Sequence, residues 1–191
     1  MLLTQLSRLY PSSRLYILDI KLRDFNDWPG RVMDDNVPAR PDKNDRIQVW
    51  QPVVIIPEKL EEWLFNIRHD SPAYILIDEV SALNYGTRHT SPEFTKITKL
   101  GRGLPVGTIS HTQELVDIPR GILSQPDHIA RFRLKRRYDK NLANQMMTEE
   151  DTGLKEPVDK YGFWYSYAEK DTEPIYYSDA QTFLGLGKRS I

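Results

Sequence analysis

Several things are missing from these 191 residues, and each absence excludes a class. There is no cysteine, which rules out disulfide scaffolds, thiolate catalysis and cysteine-bound zinc and fits a cytoplasmic protein. No apolar run approaches the roughly 20 residues of a membrane span. Met1-Leu2-Leu3 is interrupted at once by Thr4, Gln5, Ser7 and Arg8, so it does not read as a signal peptide. Charge of one sign is also missing. The 26 basic and 27 acidic residues leave a net charge of −1, so a nucleic-acid surface must come from local clustering. The four histidines, at 69, 89, 111 and 128, lack metal-ligand spacing. No internal repeat is visible. What remains is a 39% hydrophobic, 28% charged chain, long enough for one domain with a substantial core.

The stretch around which the rest is organised is Ala73-Tyr74-Ile75-Leu76-Ile77-Asp78-Glu79. An apolar run without alternation reads as a strand buried on both faces, the pattern of a central strand in a parallel α/β sheet. Acids at its carboxyl end point into the crevice where such sheets bind ligands. A buried strand that simply ends in a solvated acidic turn is the alternative.

Along the chain, Leu2, Leu3, Leu6, Leu9 and Tyr10 have helical spacing. Arg14 to Ile20 forms a second buried strand, closing on Asp19 and Lys21, which read as residues that fix the strand end. Residues 23–45 form a long polar loop with Pro29, Gly30, Pro38 and Pro41. Arg46 to Val54 is a short strand, and Pro57 opens a helix with Leu60, Trp63, Leu64 and Ile67 as its buried stripe. Val80 to His89 is a loop. Thr90-Ser91-Pro92-Glu93 is a helix start with a capping Thr or Ser. Phe94, Ile97 and Leu100 form that helix's face, and Gly101 stops it. Leu104 to Ser110 is a third buried strand, leading into His111-Thr112-Gln113. A short helix around Pro119 comes next. Asp127 to Leu134 is a fourth strand, 136 to 147 a helix, and 161–167 with 173–177 a β-hairpin.

The ordered set is strand–Asp-Glu, helix to Gly101-Arg102-Gly103, strand to Thr112-Gln113, and a strand carrying Arg131 and Arg133. It resembles the FtsK–HerA group of P-loop ATPases, which includes DNA translocases, conjugation ATPases and viral genome-packaging ATPases. The likeness runs over residues 1–135, through segments 15–21, 74–79, 100–103, 106–113 and 118–134. It implies an α/β fold: a mostly parallel P-loop NTPase sheet of the RecA-like, ASCE type, flanked by helices. Residues 1–135 would be a partial ATPase core. Residues 136–191 would be a C-terminal helix and β-hairpin extension of the same domain.

The resemblance also implies roles. Asp78 would hold the Mg²⁺ of MgATP, and Glu79 would polarise the attacking water. Gln113 would be a sensor near the γ-phosphate; the alternative is that Thr112-Gln113 merely bonds a turn. Arg102 would be an arginine finger reaching a neighbour's nucleotide in a hexameric ring. Its alternative is a helix C-terminal cation complementing the dipole. The cofactors would be ATP and Mg²⁺, and the partners double-stranded DNA and further copies of the chain. The basic run Arg131, Arg133, Lys135, Arg136, Arg137 and Lys140 suits phosphate, a subunit interface or a solvated face.

One departure is severe. The sequence contains no Gly-x-x-x-x-Gly-Lys-Ser/Thr, the loop whose backbone amides and lysine hold the phosphates. The expectation is a domain cut just after that loop, lacking the strand between those of Gln113 and Arg131. Two unpaired central edges would then remain, and the isolated chain would be poorly stable unless another segment closes the gap. Three further readings stay open. One is a non-hydrolysing or decayed subunit that offers Arg102 in trans. Another is a metal-dependent nuclease using Asp19, Asp78 and Glu79. The third is a small-molecule kinase of P-loop type.

Overall fold

A computed structural model describes residues 12–21, 31–33, 46–70, 72–85, 89–100, 103–147, 154–167 and 173–179. The chain forms two compact units, residues 1–112 and 113–191.

The first unit holds the apolar runs read from the sequence. Arg14–Leu18 (β1), Arg31–Met33 (β2), Ile47–Trp50 (β3), Ala73–Ile77 (β4) and Val106–Ser110 (β7) form one sheet in the order β2-β3-β1-β4-β7. Every neighbouring pair is parallel. Tyr16, Ile17 and Leu18 of β1 and Ile75 and Ile77 of β4 have no exposed surface, but Tyr74 and Leu76 on the other face of β4 are only half-buried. The strand β7, expected as a buried strand, buries only Val106 because it is the sheet's terminal strand among the described residues. The strand β2 is a departure from expectation, since it lies within the polar stretch read as a loop. Its three residues extend only because β3 supplies hydrogen-bond partners.

The helix Pro57–Arg68 (α1) starts at Pro57 as expected, where the proline's missing N–H removes no helical bond. Its stripe Leu60, Trp63, Leu64 and Ile67 is fully buried. Trp63 packs against Trp50 at 5.2 Å between ring centroids and meets Tyr16 edge-on at 6.3 Å. The helix Pro92–Leu100 (α2) is capped by Ser91, whose Oγ accepts the Phe94 N–H at 3.0 Å. The two helices are tied together as well. Arg68 Nε donates to Glu93 Oε2 at 3.0 Å, and the Glu93 N–H donates to Glu61 Oε2 at 2.9 Å. The segment after Glu79, read as a loop, contains a 3₁₀ turn (Val80–Leu83) and the two-residue strands Asn84–Tyr85 (β5) and His89–Thr90 (β6).

The second unit corrects one expectation. His128–Arg131 (β8) does not continue a parallel sheet. It pairs antiparallel with Phe163–Tyr167 (β9), which pairs antiparallel with Ile175–Tyr177 (β10), so the expected hairpin gains β8 as a third strand. Aromatic rings bind this sheet together: His128 stacks on Tyr167 at 4.5 Å, and Phe163 on Tyr177 at 5.6 Å. Among the described residues, β7 is a terminal strand of its sheet and β8 of the other. Arg120–Leu123 (α3) is a single turn, and Arg137–Met147 (α4) is the expected helix after the basic run.

Candidate active site

The carboxyl ends of β1, β4 and β7 lie side by side, and the ladder runs one step beyond each strand. Asp78 N–H donates to Leu18 O at 3.1 Å, and His111 N–H donates to Ile77 O at 2.9 Å. Asp19 N–H donates to Trp50 O at 2.9 Å. Three parallel strands therefore present Asp19, Asp78 and His111 along one edge. This is the edge of an open α/β sheet where ligands are bound.

Asp78 is only 7% exposed. Lys21 Nζ lies 3.3 Å from each of its carboxylate oxygens, with hydrogen-bond geometry to Oδ1 alone. The Oδ2 atom is buried and accepts no hydrogen bond. A buried carboxylate oxygen without a donor is costly unless a cation compensates it. Asp19 is completely buried, accepts Gln51 Nε2 at 2.8 Å on Oδ2, and leaves its own Oδ1 without a donor. Sequence reasoning assigned Lys21 only to the strand end; its four-carbon stem carries it to the next strand's acid.

Glu79 leaves the strand and is held from two sides. Thr112 Oγ1 donates to its Oε1 at 2.7 Å, and Ser81 Oγ donates to the same atom at 2.9 Å. The second oxygen, Oε2, is outside both bonds. His111 donates from Nδ1 to the Asp78 carbonyl at 2.8 Å, which fixes its proton on that nitrogen. Val80 N–H donates to His111 O at 2.9 Å. These bonds lock the ends of β4 and β7 together. Neither His111 nor Thr112 was singled out for this by sequence, because the signal is a register between distant strands.

Of the other candidates, Gln113 is exposed and is the first residue of the second unit. The residues just after Gln113 are firmly held: the Asp139 carboxylate, 1% exposed, accepts the N–H groups of Leu115 and Val116 at 3.0 and 3.1 Å. Arg136 reaches Glu114 at 2.8 Å. Arg102 lies outside the described residues, as does the helix expected over residues 1–10.

Two members of the basic run are engaged inside the second unit. Arg131, 4% exposed, is paired with Glu156 and donates to Leu154 O. Arg133 donates to the carbonyls of Pro157 and Val158. Both guanidinium groups therefore serve the second unit's own structure. The strand also ends at Arg131, so Arg133 and Lys135 do not continue its alternation. Among the described residues no three His, Asp or Glu side chains cluster as a metal cage, and no helix is long and apolar enough to cross a membrane.

No protein-family model and no curated protein matches the chain. Solved structures do. The DNA-packaging ATPase B204 of Sulfolobus turreted icosahedral virus superposes with a TM-score of 0.70 at 12% identity, over 93% of this chain and 87% of that one. The genome-packaging NTPase B204 of Sulfolobus turreted icosahedral virus 2 superposes with a TM-score of 0.66 at 16% identity in its complex with ATPγS, over the same shares. Its complex with AMPPCP gives 0.67 at 16% identity. At such identities the likeness establishes the fold alone: this chain shares the fold of the B204 proteins.

Proposed function

We propose that this chain is the part of an ATP-driven genome-packaging or DNA-translocating motor of FtsK–HerA type that carries Asp78, Glu79 and Gln113. The observation that supports it most is Glu79, fixed by Thr112 and Ser81 beside the buried Asp78 at the ligand edge of a parallel sheet. One B204 protein is described as a DNA-packaging ATPase, and the other, a genome-packaging NTPase, was solved with ATPγS and with AMPPCP, which favours nucleotide chemistry at the same edge.

On this reading Asp78 holds Mg²⁺, and the fit is good: its Oδ2 is buried with no hydrogen-bond donor, and a carboxylate oxygen is a hard ligand of the kind Mg²⁺ takes. The ion, when bound, neutralises charge that develops on the phosphates. Glu79 supplies a carboxylate oxygen to orient and polarise the attacking water, while Thr112 and Ser81 stop it from rotating away. Gln113, covalently next to Thr112, reports the state of the γ-phosphate to the second unit. Arg102 reaches the nucleotide of an adjoining copy in a ring, and double-stranded DNA is the moved polymer.

A second reading is favoured by one feature, the absence of a Gly-x-x-x-x-Gly-Lys-Ser/Thr loop from these 191 residues. On it, the chain is a non-hydrolysing subunit that offers Arg102 to an active neighbour. The test is DNA-stimulated ATP hydrolysis by the full-length protein, alone and mixed with Arg102→Ala and Glu79→Gln copies. The motor reading expects hydrolysis that Glu79→Gln abolishes. If Glu79→Gln leaves hydrolysis by the assembly intact while Arg102→Ala removes it, the second reading holds.

A further inference from the structure

Resting on the reading of Asp78 as the metal-holding carboxylate, we propose that Lys21 is a tethered counter-ion of Asp78, which a divalent cation must displace in order to bind. The geometry is symmetric: Nζ stands 3.3 Å from both carboxylate oxygens. An ammonium so placed hydrogen-bonds Oδ1 alone, stands against both oxygens, and compensates a charge whose side chain is 9% exposed. It cannot remain there beside a dication, because like charges a few ångströms apart repel strongly in a partly desolvated site.

Lys21 is built to leave. Its side chain is 32% exposed, sits in the turn just after β1, and has a flexible four-carbon stem. His111 is not an equivalent substitute. Its Nδ1 is 3.9 Å from Asp78 Oδ1, and its proton is engaged by the Asp78 carbonyl at 2.8 Å. The fully buried Asp19, held by Gln51, places a second negative charge one strand away and strengthens the attraction for whichever cation is present. Lys21 thus keeps the empty site neutralised and sets a threshold for metal entry. It lowers apparent metal affinity without being a ligand.

The test is Mn²⁺ binding to the full chain, monitored by electron paramagnetic resonance without nucleotide. Lys21→Met, which keeps the stem and removes the charge, is expected to tighten Mn²⁺ binding by about twofold to fivefold, the scale of a partly exposed ion pair. Lys21→Arg should stay close to wild type. Asp78→Asn should abolish binding. Unchanged or weaker binding in a folded Lys21→Met protein, with Asp78→Asn still abolishing it, overturns the Lys21 inference alone. Binding that survives Asp78→Asn overturns the underlying assignment of Asp78 to metal. A second measurement needs no variant: acylation of the Lys21 amine, read by peptide mass, should rise when Mn²⁺ is added. An acylation rate that Mn²⁺ leaves unchanged contradicts displacement.

Discussion

Thr112 Oγ1 donates a 2.7 Å hydrogen bond to Glu79 Oε1, across residues 33 positions apart in sequence. It joins the last residue of the first unit to the acid just past β4. The bond makes the orientation of Glu79 depend on the register of β7 against β4. Thr112→Val keeps the shape and removes the donor. It should lower the hydrolysis rate by about tenfold, the scale of one hydrogen bond to a charged group, with nucleotide affinity unchanged. Steady-state kinetics that show a raised KM instead would place Thr112 in binding.

That register has its own check at Gly107, paired across the strands with Tyr74. A Cβ at Gly107 would stand 2.6 Å from two atoms of the Tyr74 ring. Gly107→Ala should therefore destabilise the first unit by about 1–3 kcal/mol through overpacking. Tyr74→Ala should relieve most of that added cost, so the pair should be non-additive in a denaturant double-mutant cycle.

Glu93 should make stability depend on acid pH. Burial pushes its carboxyl up, but hydrogen bonds from Lys96 at 2.5 Å and Arg68 at 3.0 Å outweigh that and hold it below the ordinary range. A carboxyl depressed in the folded state contributes stability that is present above its unfolded value and lost as pH falls through the folded one. Melting temperature should drop below about pH 4, the ordinary glutamate range, and Glu93→Gln should flatten that part of the profile.

Asp139 is the corresponding anchor of the second unit. Asp139→Ala would leave the N–H groups of Leu115 and Val116 without their acceptor, at a cost of about 1–3 kcal/mol. Amide exchange at 115 and 116 should accelerate far more than at β9. Uniform acceleration would mean that the unit opens as a whole.

The parts of this structure that were legible in the sequence are those fixed by local pattern. The runs through Tyr16 and Ile75 had to be inner strands, Pro57 had to open a helix, and the Thr90-Ser91 pair had to hold a cap. The hidden parts depend on partners far along the chain. The strand β2 is only three residues long, too short for a periodic signature, and pairs with β3. The strand β8 read as a fourth strand after that of Gln113, yet its Arg131 pairs with Glu156 and its neighbour is the antiparallel β9. The charges misled for the same reason. Arg131 and Arg133 form a basic stripe in the sequence and are engaged by Glu156 and three carbonyls. Lys21 looked like a strand end and reaches Asp78. Motif order located Asp78 and Glu79; only the register of β1, β4 and β7 shows what surrounds them.

The motor reading stands or falls on whether Glu79 acts on water at a bound nucleotide. Binding and cleavage of ATP should be followed in the same Mg²⁺-containing sample of the full-length protein, for wild type and Glu79→Gln. Glu79→Gln is expected to bind ATP as tightly as wild type and to release phosphate at least about a hundredfold more slowly, on the order of the loss of a general base. Phosphate release at the wild-type rate by a Glu79→Gln protein that binds ATP normally would remove Glu79 from the chemistry and refute the reading.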